Sequence, residues 1–189
     1  WSRVEPEEGV FNQVEIDHYV DKAKLLIEKN ITPIVTFHHF TTPEWLMNDG
    51  LWASEKSTIS FVKYVDKMMQ HLPKEVTLYN TINEPGIFSM FGYLSKMKFP
   101  PGIQNEKTFI KASNNIIAAH KKSMKKIKEH NPNAKVGMTH ALHEWDDNDT
   151  SIQKEYIKYH MEDKFLYASD DDDFIALQTY SIRRTSPNL

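Results

Sequence analysis

Short β-branched runs alternate with longer amphipathic stretches along this chain, and that alternation restricts the fold more than any single residue does. The runs are residues 33–39 (PIVTFHH), 76–82 (VTLYNTI), 135–139 (KVGMT) and 174–180 (FIALQTY). They are apolar enough to be strands covered on both faces. Residues 1–3 read as the tail of an earlier strand. Between the runs, apolar side chains recur at helical spacing: Ile16, Tyr19, Val20, Ala23, Leu26 and Ile27 within 15–28, and Phe61, Val62, Val65, Met68 and Met69 within 58–71. A third such stretch, 109–129, carries Ile110, Ile116, Ile117, Met124 and Ile127 and stops before Asn131-Pro132. Strand and helix in alternation predict an α/β fold, each helix packed outside a parallel sheet. No low-complexity linker divides the series, so residues 1–189 are expected to form one domain.

The position of the polar residues separates two such architectures. A doubly wound nucleotide-binding sheet needs a glycine-rich turn after an early strand, and none of the six glycines stands in a G-x-G-x-x-G or G-K-[ST] setting. Polar residues instead gather at the C-terminal ends of successive strands: Arg3, His39, Asn83 with Glu84, His140, and Gln178 with Tyr180. A (β/α)8 barrel keeps its active site at those ends. About five strands in 189 residues make an incomplete arc of one. The segment NTINEP, residues 80–85, then acquires a meaning. Pro85 ends the ladder at the rim and leaves an amide and a carboxylate facing a ligand. An acid can protonate a glycosidic oxygen while an adjacent amide holds a sugar hydroxyl. The competing explanation is that Asn83 and Glu84 cap the next helix.

Five segments, WSRVEPEEGVF, TFHHFTTPEWL, TINEPGIFSMFGYLSKMKFPPG, NPNAKVGM and DFIALQTYS, resemble in order and spacing those of glycoside hydrolase family 1, the retaining β-glycosidases. The resemblance implies a TIM barrel traversed from the end of its second strand through its sixth. It also implies a double-displacement reaction on β-linked glucosides or galactosides, by hydrolysis or transglycosylation. Glu84 would be the general acid/base, Asn83 the ligand of the sugar 2-hydroxyl, Arg3 a neighbour of the nucleophile and Tyr180 its contact. His39 would bind sugar hydroxyls, followed by Phe40 where the family usually has Trp. Gln178 stands where the family usually has Asn, Tyr79 where it has Trp and Lys96 where glycine is common; each is expected to alter sugar or aglycone subsites. No Glu-Asn-Gly nucleophile segment occurs in the chain, so the resemblance puts the second carboxylate outside it and the chain alone is expected to be inactive. The alternatives are a sugar-binding remnant without catalysis and a structural half-barrel whose open edges pair with another chain or with a second copy.

Composition narrows the remaining classes. A net charge of −3 gives no reason to expect nucleic acid, and no uninterrupted apolar span suggests a membrane. With no cysteine there is neither disulfide nor thiolate site. No cofactor and no metal is expected: His38 and His39 are strand neighbours pointing to opposite faces, and the acidic run 170–173 lacks the glycine and terminal Glu of a calcium loop. That run reads as a solvated turn, and the basic stretch 120–130 (HKKSMKKIKEH) as a solvated helix face rather than a lipid-binding one. Trp145, in THALHEW, reads equally as an aglycone contact or as loop packing. Localisation stays open, a cytoplasmic setting being expected over a secreted one.

Overall fold

The computed structural model describes residues 1–95, 99–146 and 150–183, with side chains described as far as residue 180 in the last segment. Lys96 lies outside the described residues. In chain order the elements are α1 (Gln13–Glu28), β1 (Ile34–His38), α2 (Glu55–Met69), β2 (Leu78–Asn83), α3 (Pro85–Tyr93), α4 (Glu106–His130), β3 (Lys135–Trp145), α5 (Ile152–Lys158), α6 (Lys164–Ala168) and β4 (Phe174–Arg183). Two 3-10 segments, Glu44–Asp49 and Leu51–Ala53, follow β1, and one π-helical turn, Tyr159–Asp163, joins α5 to α6. The four strands form one sheet in the order β1-β2-β3-β4, and every pairing is parallel.

Local chemistry places most boundaries. Asn12, Ser54, Asn105 and Ser151 each accept a backbone N–H of the first turn that comes after them, opening α1, α2, α4 and α5. Asn131 ends α4 and donates its side-chain amide to the carbonyls of Lys74 (3.0 Å) and Val76 (3.1 Å), fastening the helix end beneath β2. Phe61, Val65, Met68 and Met69 of α2 and Phe109, Ala112, Ile116 and Ile127 of α4 are buried in one apolar core. A lone parallel sheet would leave that face wet; the two helices bury it.

Three expectations change here. Residues 1–3 form a turn, with Val4 and Glu5 donating to the Trp1 carbonyl, and the Trp1 ring packs with Trp45, Trp52, Phe61 and Tyr64. The described sheet thus has four strands, not five. Strand β3 runs on to Trp145 because β4 stays beside it, with Leu142 opposite Thr179 and Trp145 opposite Arg183. Tyr79 is fully buried, stacked on Phe37 at 5.9 Å with its hydroxyl on the Val76 carbonyl, so its departure from the family pattern concerns the core and not a subsite.

The acidic run and the basic helix turn out to be each other's partners. Lys121 pairs with Asp171 (3.3 Å), His120 with Asp172 (2.8 Å) and Lys128 with Asp173 (2.8 Å). Asp173 also accepts the Val136 N–H. Of the basic stretch, His120 is wholly buried between Asp172 and the Thr81 hydroxyl rather than solvated.

Candidate active site

Strand β2 delivers Glu84 to the end of the sheet in an unusual backbone state. Its φ of 46° and ψ of 56° lie in the left-handed region, which a residue with a Cβ enters at a cost of about 1–3 kcal/mol. The surroundings over-determine it: the Glu84 N–H is spent on the Thr139 carbonyl of β3 at 2.7 Å, and Pro85 fixes the first position of α3. Glu84 occupies the N-cap position of that helix, yet its side chain makes no capping bond. The carboxylate therefore does not cap α3 through a hydrogen bond. Its Oε1 instead accepts the Tyr180 hydroxyl from β4 at 3.1 Å.

The Tyr180 contact crosses 96 positions of sequence. The resemblance gives this hydroxyl to a nucleophile outside the chain; among the described residues it donates to Glu84. Loss of solvent, then the bond to Glu84 and its charge, hold the phenol above its ordinary range. A phenol suits a carboxyl group that changes protonation, because its O–H can donate to the carboxylate and its oxygen can accept from the acid.

Asn83 is buried beside Glu84, and its side-chain Nδ2 has no hydrogen-bond partner. The β2–β3 register shifts between Asn80 and Asn83, a kind of irregularity that re-aims side chains next to active sites. Gln178, two residues before Tyr180 on β4 and therefore on the same face, likewise keeps a buried Oε1 without a partner. Buried polar atoms are normally bonded. These two supply one donor and one acceptor.

At the end of β1 the two histidines separate. His38 is buried against Trp52, Phe61 and Phe88, with Nε2 3.0 Å from the Thr42 hydroxyl, and burial pushes its pKa down to about 3. His39 is exposed and packs edge-on against Phe40 at 5.0 Å. Phe40 has a φ of 67° and also meets Phe88 and Phe99, which turns an aromatic rim beside His39. Among the described residues no group of three metal-ligating side chains converges.

Other expected positions fall elsewhere. Arg3 is largely exposed and pairs with Glu15 at the start of α1, 2.9 Å away. His140 points to the helix side: it is buried, its Nε2 lies 3.0 Å from the Ser169 hydroxyl, and burial lowers its pKa to about 4. Alternation along β3 gives the opposite face to Thr139, so His140 leaves the rim. Trp145 is packed, its indole N–H donating to Glu162 at 3.0 Å. Sequence reasoning missed Glu162 altogether. Its only signal was its place in a charged stretch, 153–164, that also supplies surface residues.

The profile of Glycosyl hydrolase family 1 matches residues 1–183. This chain belongs to that family. It is 32% identical over 139 residues to β-glucosidase A of Acetivibrio thermocellus, covering 73% of this chain and 31% of that protein. A 6-phospho-β-galactosidase of Staphylococcus epidermidis is 37% identical over 145 residues, covering 75% and 30%. Among solved structures, a β-glycosidase from Pyrococcus horikoshii superposes with a TM-score of 0.86 at 29% identity, over 96% of this chain and 47% of that one. The β-glycosidase BGL167 gives 0.80 at 30%, over 96% and 49%. The chain spans about a third of the length of these curated relatives and about half that of the solved ones. Its parallel sheet and helices are an incomplete arc of the TIM barrel.

Proposed function

We propose that this family 1 chain carries the acid/base half of a retaining β-glycosidase site, acting on β-linked glucosides or galactosides. Glu84 would protonate the departing glycosidic oxygen and then take a proton from the incoming water, while a second carboxylate about 5 Å away forms the glycosyl-enzyme. One observation carries this reading: a buried glutamate, held off the helix it precedes, whose hydrogen bond comes from a reorientable hydroxyl. Asn83 and His39 would recognise sugar hydroxyls, Gln178 would accept from one, and Phe40 would flank the sugar. Arg3 would serve the nucleophile only on leaving Glu15, its ion-pair partner at the start of α1. The names of the relatives, β-glucosidase and 6-phospho-β-galactosidase, support the substrate class.

The test is leaving-group dependence in the full-length protein. Glu84→Gln should slow unactivated alkyl β-glycosides by about 100-fold or more, while dinitrophenyl β-glycosides, which need no proton on departure, form the glycosyl-enzyme at near the parent rate. Equal rates with the parent on both substrates would remove Glu84 from the mechanism.

A further inference from the structure

Glu162 sits in the π-helical turn with its side chain 5% exposed. Its Oε1 accepts the His143 backbone N–H at 3.1 Å and lies 2.8 Å from His143 Nδ1, and its Oε2 accepts the Trp145 indole N–H. The end of β3 is therefore gripped by one carboxylate from the turn that comes after α5. A buried carboxylate is tolerable only with such saturation.

The other side of the same turn touches the candidate active site. The Met161 carbonyl is packed on Gly86 so closely that a Cβ there would fall 1.8 Å from the Met161 oxygen. Gly86 is the second residue of α3, two positions after Glu84. A π turn shifts the helix register by one residue, which rotates the later residues by about 100°. It is in this turn that Met161 meets α3 while Glu162 meets β3. Glu84 itself is fixed to β3 through its N–H on Thr139. The acid's left-handed backbone thus lies in a closed circuit: β3, Glu162, Met161, Gly86, Glu84 and back to β3.

We infer that Glu162 is a positioning residue for Glu84, holding the π turn against Gly86 and so setting the direction from which the Glu84 carboxyl meets the leaving oxygen. This rests on the acid/base reading of Glu84. Displacement of a reacting group by a fraction of an ångström reduces rate without altering ground-state binding, and only a step that needs Glu84 should feel it.

The experiment uses the full-length protein with an alkyl and a dinitrophenyl β-glycoside. Glu162→Gln, which sets an amide N–H against one of the N–H donors, should lower kcat for the alkyl glycoside by about tenfold. KM for the alkyl glycoside and glycosyl-enzyme formation from the dinitrophenyl glycoside should stay within about twofold. Gly86→Ala, pushing on the turn from the opposite side, should show the same split. If Glu162→Gln does not fold, Trp145→Phe decides, because it deletes one N–H and keeps the aromatic bulk; an unchanged ratio between the substrates in that variant overturns the inference. So does a Glu162→Gln protein that slows glycosyl-enzyme formation from both substrates equally or loses only thermal stability, provided Glu84→Gln still separates them. Should Glu84→Gln fail to separate them, the acid/base reading falls, and this inference falls with it.

Discussion

Glu5 and Glu84 are both buried glutamates, yet they are held in opposite ways. Glu5 receives the Trp1 indole N–H at 2.7 Å and the Gly9 backbone N–H at 3.0 Å. Those donors cannot turn round, and a protonated Glu5 would waste one of them. Glu84 receives a phenol that works with either protonation state. Burial alone therefore does not distinguish the two carboxylates; the kind of donor facing each does. A carboxylate locked by N–H groups builds structure, and one met by a hydroxyl keeps the freedom to exchange a proton.

The sharpest way to break this contrast is at the residue beside Glu84. Asn83→Ala in the full-length protein should lower both kcat and kcat/KM, since hydrogen bonds to the sugar 2-hydroxyl that tighten in the transition state contribute several kcal/mol. His39→Ala should lose less on a substrate lacking the hydroxyl it binds than on the parent sugar. Asn83→Ala showing only a lower melting temperature would return the amide to a structural role. A smaller effect is expected at Glu5: Glu5→Gln should reduce unfolding stability in denaturant by about 2 kcal/mol and leave the ratio of alkyl to dinitrophenyl turnover unchanged. A changed ratio would show that carboxylates locked by N–H donors also tune the chemistry.

A separate effect, on stability alone, lies on the helix side of the sheet and appears in pH dependence. His140 ordinarily titrates at 6.5 and is lowered to about 4 in the fold, by burial first, with Asp172 raising and His120 lowering it in turn. The unfolded chain therefore takes up a proton below about pH 6.5 that the folded chain refuses until about pH 4. Stability from this group is full above that window and lost as pH falls through it, by on the order of 3 kcal/mol. His140→Asn should flatten melting temperature between those limits relative to the parent. A parallel curve for the two proteins would contradict the assignment. His38, lowered to about 3, continues to act in the variant and sets the slope that remains.

The features legible in the sequence are the local ones. The parallel strands, the three long helices and the Asn83-Glu84 pair at a strand end were readable because alternation, helical spacing and Pro85 act over a few residues. The family resemblance located the pair on a barrel rim. His140 was misplaced because a two-residue period gives two faces without saying which is inner, and its neighbour Ser169 lies 29 positions away. The end of β3 was missed because β4, not local propensity, sustains it. Glu162 was invisible for the same reason: its donors sit 17 and 19 positions upstream, and a π turn has no composition of its own. Tyr180 was singled out by resemblance as a contact of the nucleophile, while its bond to Glu84, 96 positions away, had no signal in the sequence.

The pairing of the acidic run 170–173 with α4 also changes how the molecule looks from a distance. Along the chain, each is a block of like charge and suggests a long-range field of one sign. In the fold, Asp171, Asp172 and Asp173 stand opposite Lys121, His120 and Lys128 within 3.3 Å. The two lysine–aspartate pairs cancel at close range, and what survives is screened over about 8 Å in physiological salt. An approaching neutral sugar meets no steering there, and the attraction of the lysine-rich helix for an anionic surface is reduced at Lys121 and Lys128, the two lysines paired with this run.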